Sequence, residues 1–213
     1  MMRLKDLMKE AMLNQQYERP YEYDFLTQCL APLFILPNDL RGKVKILDVG
    51  CAESAISKVL ASQGFDVTGI DINEWDTGKA RFIKANFLEH DFGSEQFDVV
   101  IAISTIEHIG LPAYGQKKLD RLGDLKAMRK IYELTKIGGV AIITVPYGRP
   151  HHPPEFERVY GYDTLWKLID IVDWEIIRLD FVMYDESVRA WVKGDPFRAQ
   201  TKDAVAMMML RRP

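Results

Sequence analysis

Continuous apolar runs alternate along this chain with stripes at helical spacing, and the alternation marks out its elements. The densest signal is VKILDVGCAESAISKVLASQGFDVTGIDIN, Val44 to Asn73. Val44 to Val49 reads as a buried strand, Gly50, Cys51 and Ala52 as a turn, Ile56, Val59 and Leu60 as a helix stripe, and Phe65 to Ile70 as a second strand ending in Asp71. This is one βαβ unit. Upstream, Leu4, Leu7, Met8 and Met12 make an amphipathic stripe over residues 3–16. A second helix is predicted from about Glu22 to Ile35, bent near Pro32 and ended by Pro37-Asn38-Asp39.

Downstream, NEWDTGK is too short and turn-rich for a long helix, so a loop leads straight into strand three, ARFIKANF. Phe97 to Ser104 is the near-continuous apolar run of a central parallel strand, and TIEHIGLPAYGQ after it reads as a loop. Leu119, Leu122, Leu125, Met128, Ile131, Tyr132 and Leu134 predict a helix over Lys117 to Thr135, with Gly138-Gly139 as its stop. GVAIITVPYG is a further strand, HHPPEFERVYG a loop, Asp163 to Ile169 a helix, and two strands follow at about Trp174 to Tyr184 and Ala204 to Leu210. The sum is seven strands. DESVRAWVKGDPFRAQTKD between the last two reads as a loop, so that pair is expected to be antiparallel, since a parallel return needs a packed crossover.

Composition narrows the class without changing the elements. In 213 residues, 47% hydrophobic and 28% charged, there is material for one globular domain with a full core. A net charge of −3 gives no bulk attraction for nucleic acid or an anionic membrane. Cys29 and Cys51 fall in an apolar helix and a buried turn, which suggests neither a disulfide framework nor a zinc site, and hence a reducing, cytoplasmic setting. The opening MMRLKDLMKEAML, broken by Lys5, Asp6, Lys9 and Glu10, reads as neither signal peptide nor membrane span.

The βαβ unit carries the first candidate chemistry. A right-handed crossover sets the turn at Gly50 beside the end of strand two, so the turn can hold the middle of a nucleoside while the Asp71 carboxylate accepts hydrogen bonds from ribose hydroxyls. Gly50 removes a Cβ from the backbone's approach to the ligand. Ala52 and Ser54 stand where dinucleotide folds carry glycine, which argues against a pyrophosphate across the helix start. The plain alternative is an ordinary strand-turn-helix with a surface Asp. YERPYEY, Tyr17 to Tyr23, reads equally as a flap over the ligand or as a packed linker.

Five features stand in one order: Leu47-Asp48-Val49-Gly50-Cys51-Ala52-Glu53-Ser54, the acidic end of strand two at Asp71, Asn86 after strand three, Phe97 through His108, and Gly138-Gly139. In that order they resemble the class I S-adenosylmethionine-dependent methyltransferases over about residues 42–212. The resemblance implies an α/β, Rossmann-like sheet of seven strands in the order 3-2-1-4-5-7-6, strand seven antiparallel, with helices on both faces. It also implies S-adenosylmethionine as cofactor and a domain of residues 41–213 preceded by a helical cap or flap of residues 1–40. Within the family the chain is similar to methyltransferase-like proteins of unassigned substrate that share its Arg19, Glu22 and Tyr23, its Ser104 to Gly110 with Tyr114-Gly115, its Gly123 to Met128, and its Val145 to Pro150 with Arg158-Val159-Tyr160. Ala52 replaces the common second Gly, and Asn86 the usual Asp, whose amide can still pair with an adenine edge.

The resemblance assigns roles residue by residue. The backbone of Gly50, Cys51 and Ala52 passes the methionine part, Asp48 orients the turn or reaches the amino-acid end, and Asp71 binds the ribose. Ile72 and Asn73 lie near the adenine, Asn86 and Phe87 close its other edge, and Ser104 lies near the reacting sulfur. Methyl transfer from a sulfonium asks the protein to align donor and acceptor and, for a hydroxyl, to take a proton. His108, beside Glu107, is the candidate base because imidazole changes charge near neutral pH; the pair can equally serve only to pack the loop. Arg149, His151, His152, Arg158 and Tyr160, with Tyr23 and Tyr114, are candidates for the acceptor side, although solvated surface charge explains the two His and two Arg as well. Glu107, His108 and one of His151 and His152 also resemble part of the metal set of small-RNA 2′-O-methyltransferases, whose further Glu is here Ser104. The expectation is O-methylation of a small polar acceptor such as a sugar or glycoconjugate precursor, with no resident metal. The alternatives are a metal-assisted RNA 2′-O-methyltransferase and a cofactor-binding module without transfer activity.

Overall fold

A computed structural model describes residues 17–112, 114–116, 119–149 and 156–213; the stripe expected over residues 3–16 lies outside them. Helix α1 (Arg19–Leu30) begins earlier than predicted, because Pro20 sits in its first turn, where the missing N–H has no partner to lose. At Pro32 the chain tightens into a 3-10 turn (Ala31–Ile35), as the predicted bend requires. The helical run ends at Ile35, ahead of Pro37 as expected, and Pro37 then also opens a one-turn helix α2 (Asn38–Arg41). Arg41 fixes this corner by donating to the carbonyls of Phe34 (2.6 Å) and Leu36 (3.0 Å).

The sheet has eight strands: β1 (Lys45–Val49), β2 (Asp66–Asp71), β3 (Arg81–Lys84), β4 (Phe97–Ile103), β5 (Thr135–Tyr147), β6 (Glu175–Asp185), β7 (Ala190–Gly194) and β8 (Ala204–Arg211). Their order is β3-β2-β1-β4-β5-β8-β6-β7, parallel from β3 to β5 and antiparallel from β5 through β8 and β6 to β7. Seven strands in the expected order are present, with the last antiparallel. The eighth corrects the reading of residues 185–203 as a loop. AWVKG folds back on β6 as a hairpin, Phe181 opposite Gly194 and Asp185 opposite Ala190, and its Trp191 ring meets Tyr184. A five-residue strand between turns has too little alternation to stand out in sequence.

Each strand sends alternate side chains to opposite faces. Leu47, Val49, Val100 and Ala102 enter one core with Ala127, Met128, Ile131, Leu165 and Leu168, from helices α4 (Gly123–Leu134) and α5 (Tyr162–Ile169). Ile46, Val99, Ile101 and Ile142 enter the other with Phe25, Leu26 and Leu30 of α1 and Ile56, Val59 and Leu60 of α3 (Ile56–Ser62). A last one-turn helix, α6 (Pro196–Ala199), precedes β8.

Helix α4 starts at Gly123, not Lys117; Leu119 and Leu122, counted in its stripe, are exposed. The loop after β4 crosses its start so closely that a Cβ on Gly123 would lie 2.4 Å from the Ile109 oxygen. Nor does Gly138-Gly139 stop this helix. It ends at Leu134, and Thr135 goes straight into the β5 ladder opposite Phe97. The terminal carbonyls are satisfied from outside the helix, by Arg212 donating to Tyr132, Glu133 and Thr135 (3.2, 3.1 and 2.8 Å).

Candidate active site

The carboxyl ends of β1, β2, β3 and β4 share one rim, at the point where the strand order reverses between β1 and β4. Here lies a cleft with about 1070 Å³ of empty space open to solvent. Asp48, Gly50, Ala52, Asp71, Ile72, Asn73, Asn86, Phe87, Ser104, His108 and Tyr114 line it, among the residues singled out in sequence. Three residues of its wall, Glu53, Ser104 and Tyr114, hold the left-handed backbone conformation (φ 60°, 45° and 52°), an arrangement non-glycine residues rarely adopt and one that gathers at functional sites.

Gly50 and Asp71 meet across the rim. Gly50 N–H donates to the Ile70 carbonyl (2.9 Å), and Ala52 N–H to Asp71 Oδ2 (3.0 Å). Asp71 Oδ1 accepts from Asn73 N–H (2.8 Å), so each oxygen keeps a lone pair for a further donor. The space that glycine leaves open is filled by protein: a Cβ on Gly50 would fall 2.4 Å from Thr105 Cγ2 and Oγ1. Asp48 is buried at the foot of the turn, where Ser57 Oγ–H donates to it at 2.7 Å; burial pushes its carboxyl up to about 6. Asn86 Oδ1 is taken by Leu88 N–H (3.0 Å), which leaves its amide hydrogens for other partners.

The tail of β4 carries the reactive groups. His108 lies on a 3-10 turn (Ile106–His108), and its Nδ1 is 2.8 Å from the Phe156 carbonyl oxygen. A carbonyl can only accept, so Nδ1 carries the hydrogen and Nε2 of the neutral ring holds a lone pair. Burial holds the imidazole below its ordinary pKa. Nε2 stands 3.8 Å from Oε1 of Glu107, a fully buried carboxyl that burial, with the nearby charges of Glu22 and Glu157, holds well above the ordinary range. The rings of Tyr114 and Phe156, both about half exposed, pack edge-on against His108 at 5.2 and 4.8 Å.

The other candidates stand away from the cleft wall. The Cys51 side chain is buried against Gly69. Tyr23 is buried below the turn, where it meets Ser54. Arg158 donates to the carbonyls of Glu107 (3.0 Å), Ile109 (2.8 Å) and Asp120 (3.1 Å), bracing the loop after β4 from behind. Tyr160 is buried, with its hydroxyl donating to Asp124 at 3.0 Å. Arg149 is exposed, and His151 and His152 lie outside the described residues. Sequence reasoning gave no site role to Arg19, which lines the cleft, or to Glu22, buried beneath it; their three-residue spacing on α1, with Arg19 Nη1 3.3 Å from Glu22 Oε2, was the available signal. Among the described residues no group of three or more His, Cys, Asp or Glu is placed to hold a metal ion, and no helix is long and apolar enough to cross a membrane.

Residues 16–185 match the family described as a methyltransferase domain. The chain is 37% identical over 178 residues to a ubiquinone biosynthesis O-methyltransferase of Rickettsia canadensis, covering 74% of this chain and 73% of that one. It is 26% identical over 170 residues to the protein of that name from Rickettsia felis, covering 72% and 69%. In fold it is similar to the N-methyltransferase NodS from Bradyrhizobium japonicum, solved with S-adenosyl-L-homocysteine, with a TM-score of 0.56 at 14% identity over 98% of this chain and 100% of that one. A match across most of the chain and a sheet in the expected order lead to one conclusion: the chain belongs to the class I S-adenosylmethionine-dependent methyltransferases.

Proposed function

We propose that this methyltransferase acts on an oxygen of a small hydroxylated acceptor, such as a sugar or glycoconjugate precursor, with His108 as the base. The observation that carries this reading is the hydrogen bond from His108 Nδ1–H to the Phe156 carbonyl, which leaves the Nε2 lone pair available on a ring kept neutral by burial. The relatives named as O-methyltransferases support oxygen as the receiving atom. The exposed rings of Tyr114 and Phe156 offer flat walls beside the base, suited to the face of a sugar or another ring. An acidic chain favours a small acceptor over nucleic acid.

The residues of the rim fit the cofactor: a turn of small residues and a carboxylate with a lone pair left on each oxygen, both facing one open cleft. Asp71 would hold the ribose hydroxyls, Ile72, Asn73, Asn86 and Phe87 the adenine, and the Gly50 turn with Asp48 the methionine part. When bound, S-adenosylmethionine supplies a methyl group already activated on sulfonium. The protein's own task is then to exclude water, align the acceptor and accept its hydroxyl proton at His108 Nε2. The segment before residue 41, of which residues 17–40 are described, would serve as a cap on a methyltransferase domain of residues 41–213.

A screen of sugars, nucleotide sugars, phenols, amines and RNA, scored by release of S-adenosylhomocysteine, tests the reading. Turnover with hydroxylated compounds is the expected result; transfer confined to amines or to RNA would overturn it.

A further inference from the structure

Beneath the cleft, Glu22 is fully buried on the inner side of α1. Its Oε1 accepts two hydroxyl hydrogens, from Ser104 at 2.6 Å and from Thr144 at 2.5 Å. Thr144 Oγ1, with its own hydrogen committed to Glu22, accepts the Ser104 N–H at 3.0 Å. Backbone and side chain of Ser104 are thus both fixed, at the left-handed φ of 45° that the surrounding structure has to impose. A hydroxyl has one hydrogen and two lone pairs. With the hydrogen drawn down to Glu22, Ser104 can turn only lone pairs toward the cleft it lines.

We propose that Glu22 is a positioning residue: by fixing the polarity of the Ser104 hydroxyl it makes the cleft prefer the charged sulfonium donor to its neutral demethylated product. This rests on the cleft being the cofactor site and adds to it a means of telling the two cofactor forms apart. The methyl hydrogens of a sulfonium carry positive charge, and an oxygen lone pair attracts them as it attracts any polarised C–H; a thioether offers no such charge. Arg19, 3.3 Å from the other oxygen of Glu22, offsets the field of the carboxylate, so the preference comes from the oriented Ser104 dipole rather than from net charge. A hydroxyl free to rotate would average this dipole away, and one that donated into the cleft would repel the sulfonium.

Calorimetric titration of the full chain with S-adenosylmethionine and with S-adenosylhomocysteine gives the ratio of the two dissociation constants. Ser104→Ala is expected to lower the preference for S-adenosylmethionine by about fivefold, the worth of one C–H···O contact strengthened by charge. Glu22→Met, which removes the acceptor at similar volume, is expected to give the same loss, and the double variant no more than either alone. Glu22→Gln retains an acceptor and is expected to restore most of the ratio. A purely structural role for Glu22 would lower Tm and leave the ratio untouched. An unchanged ratio in Ser104→Ala overturns the proposal, even where Glu22→Met does not fold, and so do additive losses in the double variant. Asp71→Ala separates this proposal from the reading beneath it, since it should weaken both ligands alike. If Asp71→Ala binds both as before, the cleft is not the cofactor site and both readings fall; if it loses both while Ser104→Ala keeps the ratio, only the role of Glu22 falls.

Discussion

Gly50→Ala isolates the contact that shapes the cofactor turn. Two separate costs follow from the structure. Gly50 has φ 73°, and an L side chain in the left-handed region costs about 1–2 kcal/mol. The new Cβ would also lie 2.4 Å from Thr105 Cγ2 and Oγ1 and 2.9 Å from Thr105 Cβ, and overpacking of this kind costs about 1–3 kcal/mol. The sum is a loss of about 2–5 kcal/mol, or roughly 4–20 °C in Tm for a chain of this size. Urea unfolding followed by circular dichroism measures it. Thr105→Ala in the same background removes the two nearest atoms but neither the third contact nor the backbone strain, so it is expected to recover about 1 kcal/mol of the loss. Gly50→Ala destabilised by less than about 1 kcal/mol, or a double variant with no recovery, would refute the reasoning, since the turn would then have room the contact distances deny.

Three further outcomes follow from the β4 tail. His108→Ala is expected to bind S-adenosylhomocysteine as the parent does and to slow turnover about a hundredfold, with the parent's kcat/KM falling on the acid side only below pH 6.5, because burial lowers the imidazole pKa and the base must be neutral; an acid limb above 6.5 would contradict this. Glu107 has a folded pKa raised well above its ordinary value, so its contribution to stability is complete below that ordinary value and is lost as pH rises through the folded one. Glu107→Gln should therefore flatten the decline in unfolding free energy as pH rises above 4.5; the same slope in both would reject the assignment. Arg158→Met leaves the Ile109 carbonyl without its donor and takes one of two donors from the Glu107 and Asp120 carbonyls, and should cost about 1–3 kcal/mol in denaturant unfolding, while a Kd for acceptor altered at unchanged stability would instead mark it as an acceptor contact.

The sequence determined the parallel half of the sheet because its strands are apolar on both sides: runs such as FDVVIAIS admit one placement, at the centre, and VKILDVG followed by FDVTGID brings Gly50 beside Asp71 by the handedness of a single crossover. Local pattern has no such hold on contacts between distant residues. It could not tell that Gly69 is small so that Cys51 and Ser57 can close over it, nor that Arg212 caps α4 and so displaces Gly138 from that task. Arg158 and Tyr160 looked like acceptor contacts because they follow a strand end, and the fold turns both inward, Arg158 to brace the loop carrying His108 and Tyr160 to bond Asp124 of α4. Glu22 is the sharpest case. On its helix it is one acid among several polar residues, and only the packing of α1 across the ends of β4 and β5, more than eighty residues away in the chain, sets it against Ser104 and Thr144. Periodicity records which way a side chain faces, whereas the partner it meets depends on how whole elements pack, and that is fixed by the fold alone.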